Sequence, residues 1–353
     1  MPNDCNQIPA ANNPTKKPLS FWLSIILGIL LVISIGANVI LLMLMSLKFT
    51  PTYTGDNKKT FQETILKGDK TAKDKILLIP VNGVIMSGDE EVSFWNQKMD
   101  PVSYITEVLE QGESDKSIKA IILQVNSPGG GITACDKIYN ALKRFKKARP
   151  DVIMVSYMNE VAASGGYYIS SATDRIFANP TTITGSIGVI STMLNMEGLF
   201  NKLGLSMEVI KSADKKDIGS SFRQMTPEER QILQDIIDEM YQRFVNVVVS
   251  GRPKLTREQI LALADGRIYT GEQALKNGLV DEIGYADDAF EATKKLANIS
   301  SAKIVEYRKK FVFWEIFESM SKDFSAVKSP TDSLKALLME KNTPKLMYLW
   351  TID

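Results

Sequence analysis

Serine 164 stands where an apolar stretch meets Gly165 and Gly166, inside the run DVIMVSYMNEVAASGGYYISSATDRIFANPTTITGSIGVIS at residues 151–191. Val152 to Val155 is the β-branched run expected of a buried parallel strand. The small residues Ala162, Ala163, Ser164, Gly165 and Gly166 then allow a sharp turn into a helix expected near Tyr167. A hydroxyl at such a turn is uncrowded. The first N–H groups of the following helix lack intrahelical partners and carry partial positive charge, so the same turn can stabilise a developing oxyanion. These residues would equally suit a small-residue packing site between strand and helix, and a lone Ser-Gly-Gly does not choose between the two.

The chain contains no histidine, so neither a Ser-His-Asp nor a Cys-His site can form. A serine nucleophile would need another base, and lysine is the usual substitute when it can be held neutral. Lowering a lysine from about 10.4 to near 7 takes roughly 4–5 kcal/mol of differential stabilisation, supplied by burial. With 42 Lys and Arg against 41 Asp and Glu, composition cannot pick the lysine. Position must pick it.

Further along the sheet, residues 118–125 read as a strand ending in Asn126-Ser127-Pro128-Gly129-Gly130-Gly131. Three glycines at the carboxyl end of a parallel strand let the main chain approach something closely. The GxxxxGK[ST] phosphate loop is missing and no GxGxxG opens the next helix, so no nucleotide cofactor is expected. Either a tight loop or a second set of N–H donors facing Ser164 remains open. Cys5 lies in a polar tail, and Cys135 shares a helical face with Ile138, Leu142 and Phe145 as a core filler. No metal-ligand cluster or disulfide framework is visible, and a net charge of +1 gives no argument for nucleic acid as a partner.

The elements that would position these groups begin after a membrane anchor. Residues 1–18 are polar and expected to be disordered. Residues 19–47 carry no charge, and about 20 apolar helical residues cross a bilayer core; the run is too long for a cleaved signal peptide's apolar core. Lysines on both sides leave its orientation undecided. Residues 48–74 read as a linker and 75–300 as the catalytic domain. Its first strand is KILLIPV at 75–81, followed by a helix at 101–111 and, after the 118–125 strand, a helix at 132–147. Strand, glycine turn, helix, strand is the order of a parallel sheet covered on both sides. More strands are expected at 175–178, 186–190 and 208–211. A polar loop, KSADKKDIGSSFRQ, then leads to a helix capped by Thr226, Pro227 and Glu229, with an apolar stripe through Ile232, Ile236, Met240, Phe244 and Val247. A second capped helix starts at Thr256, and 264–284 reads as turn, strand, short helix and strand. Within a C-terminal extension, 301–353, an amphipathic piece at 311–320 and a loop at 321–335 precede an apolar segment at 344–352, which is expected to dock on its own domain or a neighbour.

NSPGGG at 126–131, EVAASGGYYIS at 160–170, TGSIGVI at 184–190, KSADKKDI at 211–218 and ADGRIYTGEQALKNGLVDEIG at 264–284 together resemble the signal peptide peptidase A family of bacterial membrane serine proteases, in its short form. The NSPGG turn is shared with the wider crotonase and Clp protease superfamily. The resemblance implies an α/β fold of that type, a repeated β-β-α sheet with covering helices. It makes Ser164 the nucleophile, Lys216 rather than Lys215 the general base, and Ser186 the hydroxyl that orients the lysine. Gly129 or Gly130 together with Gly165 would form the oxyanion hole. Asp217 must then point away from the base. The resemblance further implies apolar peptides, cleaved signal peptides foremost, as substrates, and a ring or dome of identical subunits, which leaves open whether Lys216 pairs with Ser164 within one subunit or across to a neighbour's. The catalytic domain would stand on the outer face of the bacterial cytoplasmic membrane. A crotonase-like acyl-CoA enzyme and a non-catalytic scaffold are the alternatives from other classes.

Overall fold

The computed structural model describes residues 19–48, 61–88, 93–94, 97–98, 100–309 and 345–350. It divides into two units, residues 1–58 and 59–353. The first holds a single helix, α1 (Leu19–Lys48), whose stretch Phe21–Leu41 has a mean hydropathy of 2.6, apolar and long enough to cross a membrane. Its described side chains are exposed all round, which suits a lipid surround and no aqueous one.

The second unit is built on a mixed sheet. In chain order its first part comprises β1 (Phe61–Gly68), β2 (Lys75–Asn82), the short hairpin β3 (Ser93–Phe94) and β4 (Gln97–Lys98), α2 (Pro101–Ser114), β5 (Ile118–Ser127), β6 (Gly129–Gly131), α3 (Ile132–Ala148), β7 (Ile153–Ala163) and α4 (Gly165–Ser170). The chain continues through β8 (Arg175–Ala178), β9 (Ile183–Gly185), β10 (Ile190–Thr192), α5 (Glu197–Lys202), α6 (Pro227–Gly251), α7 (Arg257–Leu263), β11 (Ile268–Thr270), α8 (Gly271–Lys276), β12 (Glu282–Ile283), α9 (Ala286–Leu296), β13 (Lys303–Lys309) and β14 (Lys345–Leu349). Strands run in the order β1-β13-β2-β5-β7-β8-β12, with β9 continuing the edge of β7 and β11 beside it. From β13 to β12 the neighbours on this path are parallel.

Parallel strands are covered on both faces, so β2, β5 and β7 are apolar almost without alternation. Ile79, Ile121, Leu123 and Met154 join the core under α2, α3 and α4; Ile76, Leu78, Ile122, Val155 and Phe177 join a second cluster under α9. On α3, Cys135, Ile138, Leu142 and Phe145 recur at helical spacing and are all buried, which makes Cys135 a core filler. Thr226 and Glu229 close a capping box around Pro227 and so fix where α6 starts.

Several expected boundaries are corrected. Part of the expected linker, Phe61–Gly68, is a strand, and β13 lies between β1 and β2 although it falls beyond residue 300. Only Phe61 in β1 is buried, so backbone pairing across more than 230 residues, which polar sequence does not reveal, creates this edge. Strand β7 runs on through Ala163, and its helix opens at Gly165 instead of Tyr167. The expected strand at 186–190 is split: β9 ends at Gly185, Ser186 takes φ 49°, and pairing resumes at Ile190. Residues 208–211 form no strand; Val209 and Ile210 are exposed and pair with nothing among the described residues. The expected pieces at 1–18, 311–320 and 321–335 lie outside the described residues.

Candidate active site

Strand β7 delivers Ser164 to the carboxyl edge of the sheet in a conformation that L-residues rarely take, φ 52° and ψ −114°. Such a conformation costs about 1–3 kcal/mol and persists only where the surroundings enforce it. Here they do. The Ser164 N–H donates to the Gly185 carbonyl at 2.8 Å, and its own carbonyl accepts from Tyr168 N–H at 2.9 Å. The helix that follows is anchored by two buried tyrosines: Tyr167 donates to the Leu279 carbonyl at 2.9 Å and Tyr168 to Asp136 at 2.6 Å. A strained strand-to-helix turn presenting a serine is the geometry of a nucleophile elbow.

Ser186 arrives beside it through register. Ala163 pairs with Gly185 across β7 and β9, so Ser164 and Ser186 are the next residues on neighbouring strands. Ser186 also has a left-handed backbone, held by donation from its N–H to the Arg267 carbonyl at 2.8 Å.

The glycine turn after β5 reaches the same place. A methyl built on Gly165 would strike Cys135 Sγ and stand 3.0 Å from Gly129 Cα and 3.1 Å from Gly130 N. Only glycine lets these three backbones meet. The Gly129 N–H is already used, donating to Ser127 Oγ at 3.1 Å. Gly129 C=O and Gly131 N–H both bond Ile85, each at 2.8 Å, so strand alternation turns the Gly130 N–H to the opposite side. Gly130 and Gly165 are therefore the pair positioned as donors, while Gly129 provides close approach at φ 103°.

That opposite side is filled by the chain's own tail. Strand β14 lies between β6 and β10, antiparallel to both, with Tyr348 opposite Gly130. A methyl on Gly129 would strike the Tyr348 carbonyl oxygen and stand 2.6 Å from Gly165 N. A peptide carbonyl thus lies where the two glycine turns meet. The fully buried Tyr348 ring stacks on Tyr168 at 5.0 Å, and its hydroxyl donates to the Met240 carbonyl at 2.9 Å. The apolar segment expected at 344–352 docks on its own domain.

Lys216 sits in a single 3-10 turn, Asp214–Asp217, with an exposed side chain. Among the described residues no hydrogen bond joins it to Ser164 or Ser186. Its neighbours are tied down: Lys215 pairs with Glu228, and Asp217 accepts from Lys211 at 2.7 Å and from Arg223 at 2.9 Å. Asp217 is thus engaged by Lys211 and Arg223 and forms no ion pair with Lys216. Among the described residues Lys216 has no acidic partner. The structure brings together Ser164, Ser186, Gly129, Gly130 and Gly165, and among the described residues no contact links Lys216 to them. Among the described residues, no group of three or more His, Cys, Asp and Glu is arranged to hold a metal ion.

Comparison with known proteins agrees with this geometry. Peptidase family S49 matches residues 145–300, and Clp protease matches 92–184. An Enterococcus faecium protein assigned as signal peptide peptidase SppA is 37% identical over 304 residues, 84% of this chain and 86% of that one. The chain belongs to peptidase family S49. It has the Clp protease-like fold and is a serine protease of this family. A Methanocaldococcus jannaschii protein assigned as a protease is 37% identical over 283 residues, covering 80% and 84% of the two chains. Protease 4 of Salmonella typhi is 34% identical over 249 residues, 70% of this chain and 39% of that longer one.

Sequence reasoning about this S49 chain missed two parts of the site. Ile85, which aligns the glycine strand, carries no motif of its own. The tail was visible only as an apolar segment, because pairing across more than 200 residues leaves no local signal.

Proposed function

We propose that the chain is a membrane-anchored Ser/Lys endopeptidase that degrades cleaved signal peptides and other apolar peptides in the bacterial cytoplasmic membrane. The observation that carries this reading is the strained Ser164 turn meeting Gly130 and Gly165 beneath an extended peptide strand. A neutral Lys216 takes the Ser164 proton, and the alkoxide attacks a substrate carbonyl. The oxyanion accepts from the Gly130 and Gly165 N–H groups, and the lysine ammonium returns its proton to the leaving amine. Water, deprotonated by the same amine, then releases the acyl group. Ser186 orients the amine.

Lys216 comes from a neighbouring subunit in this reading. Its exposure supports that, as does the apolar surface leading to it: Leu194, Leu199, Leu203, Leu205, Met207 and Ile210 are each at least half exposed, more than a monomer leaves in one stretch. α1 supports the anchor, and in this reading the domain stands on the outer face, beside apolar substrates.

Covalent labelling by an acylating inhibitor, followed by peptide mapping, should place the label on Ser164. A label elsewhere sinks the assignment. Mixed assemblies of Ser164→Ala and Lys216→Ala protein should regain activity that neither has alone, and inactive mixtures refute the shared site.

A further inference from the structure

Two ties join the turn around Lys216 to the start of α6, and they flank the lysine on both sides. On one side Lys215 pairs with Glu228. On the other, Arg223 spans two carboxylates. Its Nε and Nη2 donate to Asp217 at 2.9 Å each, and its Nη1 and Nη2 donate to Glu229 at 2.8 and 2.5 Å. Nη2 also donates to the Asp217 carbonyl at 3.3 Å, and Nη1 to the Gln224 carbonyl at 3.0 Å. Glu229 is buried and closes the capping box of a 25-residue helix. The carboxylate beside Lys216 is thereby wired to a rigid element through one guanidinium.

The arrangement exceeds what a helix cap needs, because Thr226 and Glu229 already satisfy each other at 3.0 and 3.2 Å. What Arg223 adds is Asp217. Residues 208–213 leading into the turn are exposed and irregular, so the bonds from Lys211 to the Asp214 carbonyl at 3.0 Å and to Asp217 at 2.7 Å tie the turn to an exposed segment and not to a packed element. Guanidinium bonding keeps both carboxyls well below their ordinary range, so both remain ionised partners at neutral pH.

Building on the Ser/Lys reading above, we propose that Arg223 is a positioning residue: with Asp217 and Glu229 it forms a latch that fixes the turn from which Lys216 is presented to the nucleophile. Lysine cannot replace it fully, since an ammonium lacks the planar fork that serves two carboxylates at once.

The test uses the full chain in detergent with a fluorogenic apolar peptide. Arg223→Met should lower kcat about 10–100-fold with KM nearly unchanged, the scale expected when a catalytic group is displaced by about 1 Å. Arg223→Lys should recover part of that loss. Because Arg223 acts through Lys216, adding Arg223→Met to Lys216→Ala should not reduce the residual rate further. Hydrogen exchange gives a readout independent of turnover: Arg223→Met should speed exchange at 214–220 and leave β5 protected. Wild-type kcat in Arg223→Met, multiplicative losses in the double variant, or unchanged exchange at 214–220 would each overturn the latch. Full activity in Lys216→Ala would instead remove the Ser/Lys reading and the latch with it, so the two failures are distinguishable.

Discussion

Gly130 and Gly131 should respond very differently to a single added methyl, and the structure gives the sizes. A methyl on Gly130 would strike the Ile85 carbonyl oxygen and lie 2.6 Å from its carbon and 2.7 Å from its nitrogen. All three obstacles are backbone. Ile85 can retreat only by giving up two bonds of 2.8 Å, its N–H donating to the Gly129 C=O and its C=O accepting from the Gly131 N–H. Losing two such bonds costs about 1 kcal/mol apiece, and residual overpacking adds about 1–3 kcal/mol. Gly130→Ala should therefore cost about 3–5 kcal/mol, a large share of a domain's total. It also displaces an oxyanion donor, which should cost about 10²–10³ in kcat. Gly131 differs: its backbone is ordinary, φ −62° and ψ 133°, and the nearest atoms to an added methyl are Met86 Sδ at 3.6 Å and Ala134 Cβ at 3.8 Å. Gly131→Ala should stay within about 1 kcal/mol of wild type, since lost cap preference and reduced unfolded-state entropy oppose each other. Denaturant unfolding of the full chain in detergent, with kcat on the same samples, checks both. Equal damage from the two substitutions would refute the claim that contact with Ile85 fixes the oxyanion strand.

Other expectations follow from neighbouring parts of the site. Lys215→Ala, which loses only an exposed pair with Glu228, should keep kcat within a few-fold of wild type, whereas Lys216→Ala should cut kcat to a small residual rate; steady-state kinetics of both variants decides. A lysine base also requires the rate to fall on acidification, and a pH–rate profile with no loss down to about pH 5 contradicts it. Bonding to Arg223, then to the Thr226 N–H, lowers the Glu229 carboxyl from 4.5 to about 2. A depressed folded-state value means that this stabilisation is complete above pH 4.5 and lost as pH falls toward 2. Unfolding free energies should therefore drop across that window, and Glu229→Gln should make the drop shallower. If substrate peptides pair with β6 as β14 does, a synthetic peptide with the sequence of residues 345–350 should inhibit cleavage competitively; initial rates against substrate concentration measure this.

How much of this site could be read in advance depended on how local its causes are. The β7 turn was readable because a β-branched run followed by Ala-Ala-Ser-Gly-Gly determines its own path, and α6 because Thr226, Pro227 and Glu229 set its start within four residues. Strand β1 was not, since seven of its eight residues escape full burial and only pairing with β13 makes it a strand. Nor was the break at Ser186 visible: Thr-Gly-Ser-Ile-Gly-Val-Ile has strand composition, and the bond from its N–H to Arg267, 81 residues later, holds the backbone in the left-handed region.

The lysine shows the same division most sharply. Motif register distinguished Lys216 from Lys215 without giving a physical reason. The pairing of its neighbours is a physical observation that bears on the choice. Among the described residues Lys211, Lys215 and Arg223 each engage a carboxylate, and Lys216 alone of these four does not. A base must shed its proton, and a carboxylate partner would oppose that by favouring the charged amine. In the proposed mechanism the base would be this lysine, with burial against a neighbouring subunit supplying the desolvation. That condition ties mechanism to assembly: a variant that stays monomeric while retaining the fold should still present Ser164 in its strained turn, yet cleave no peptide.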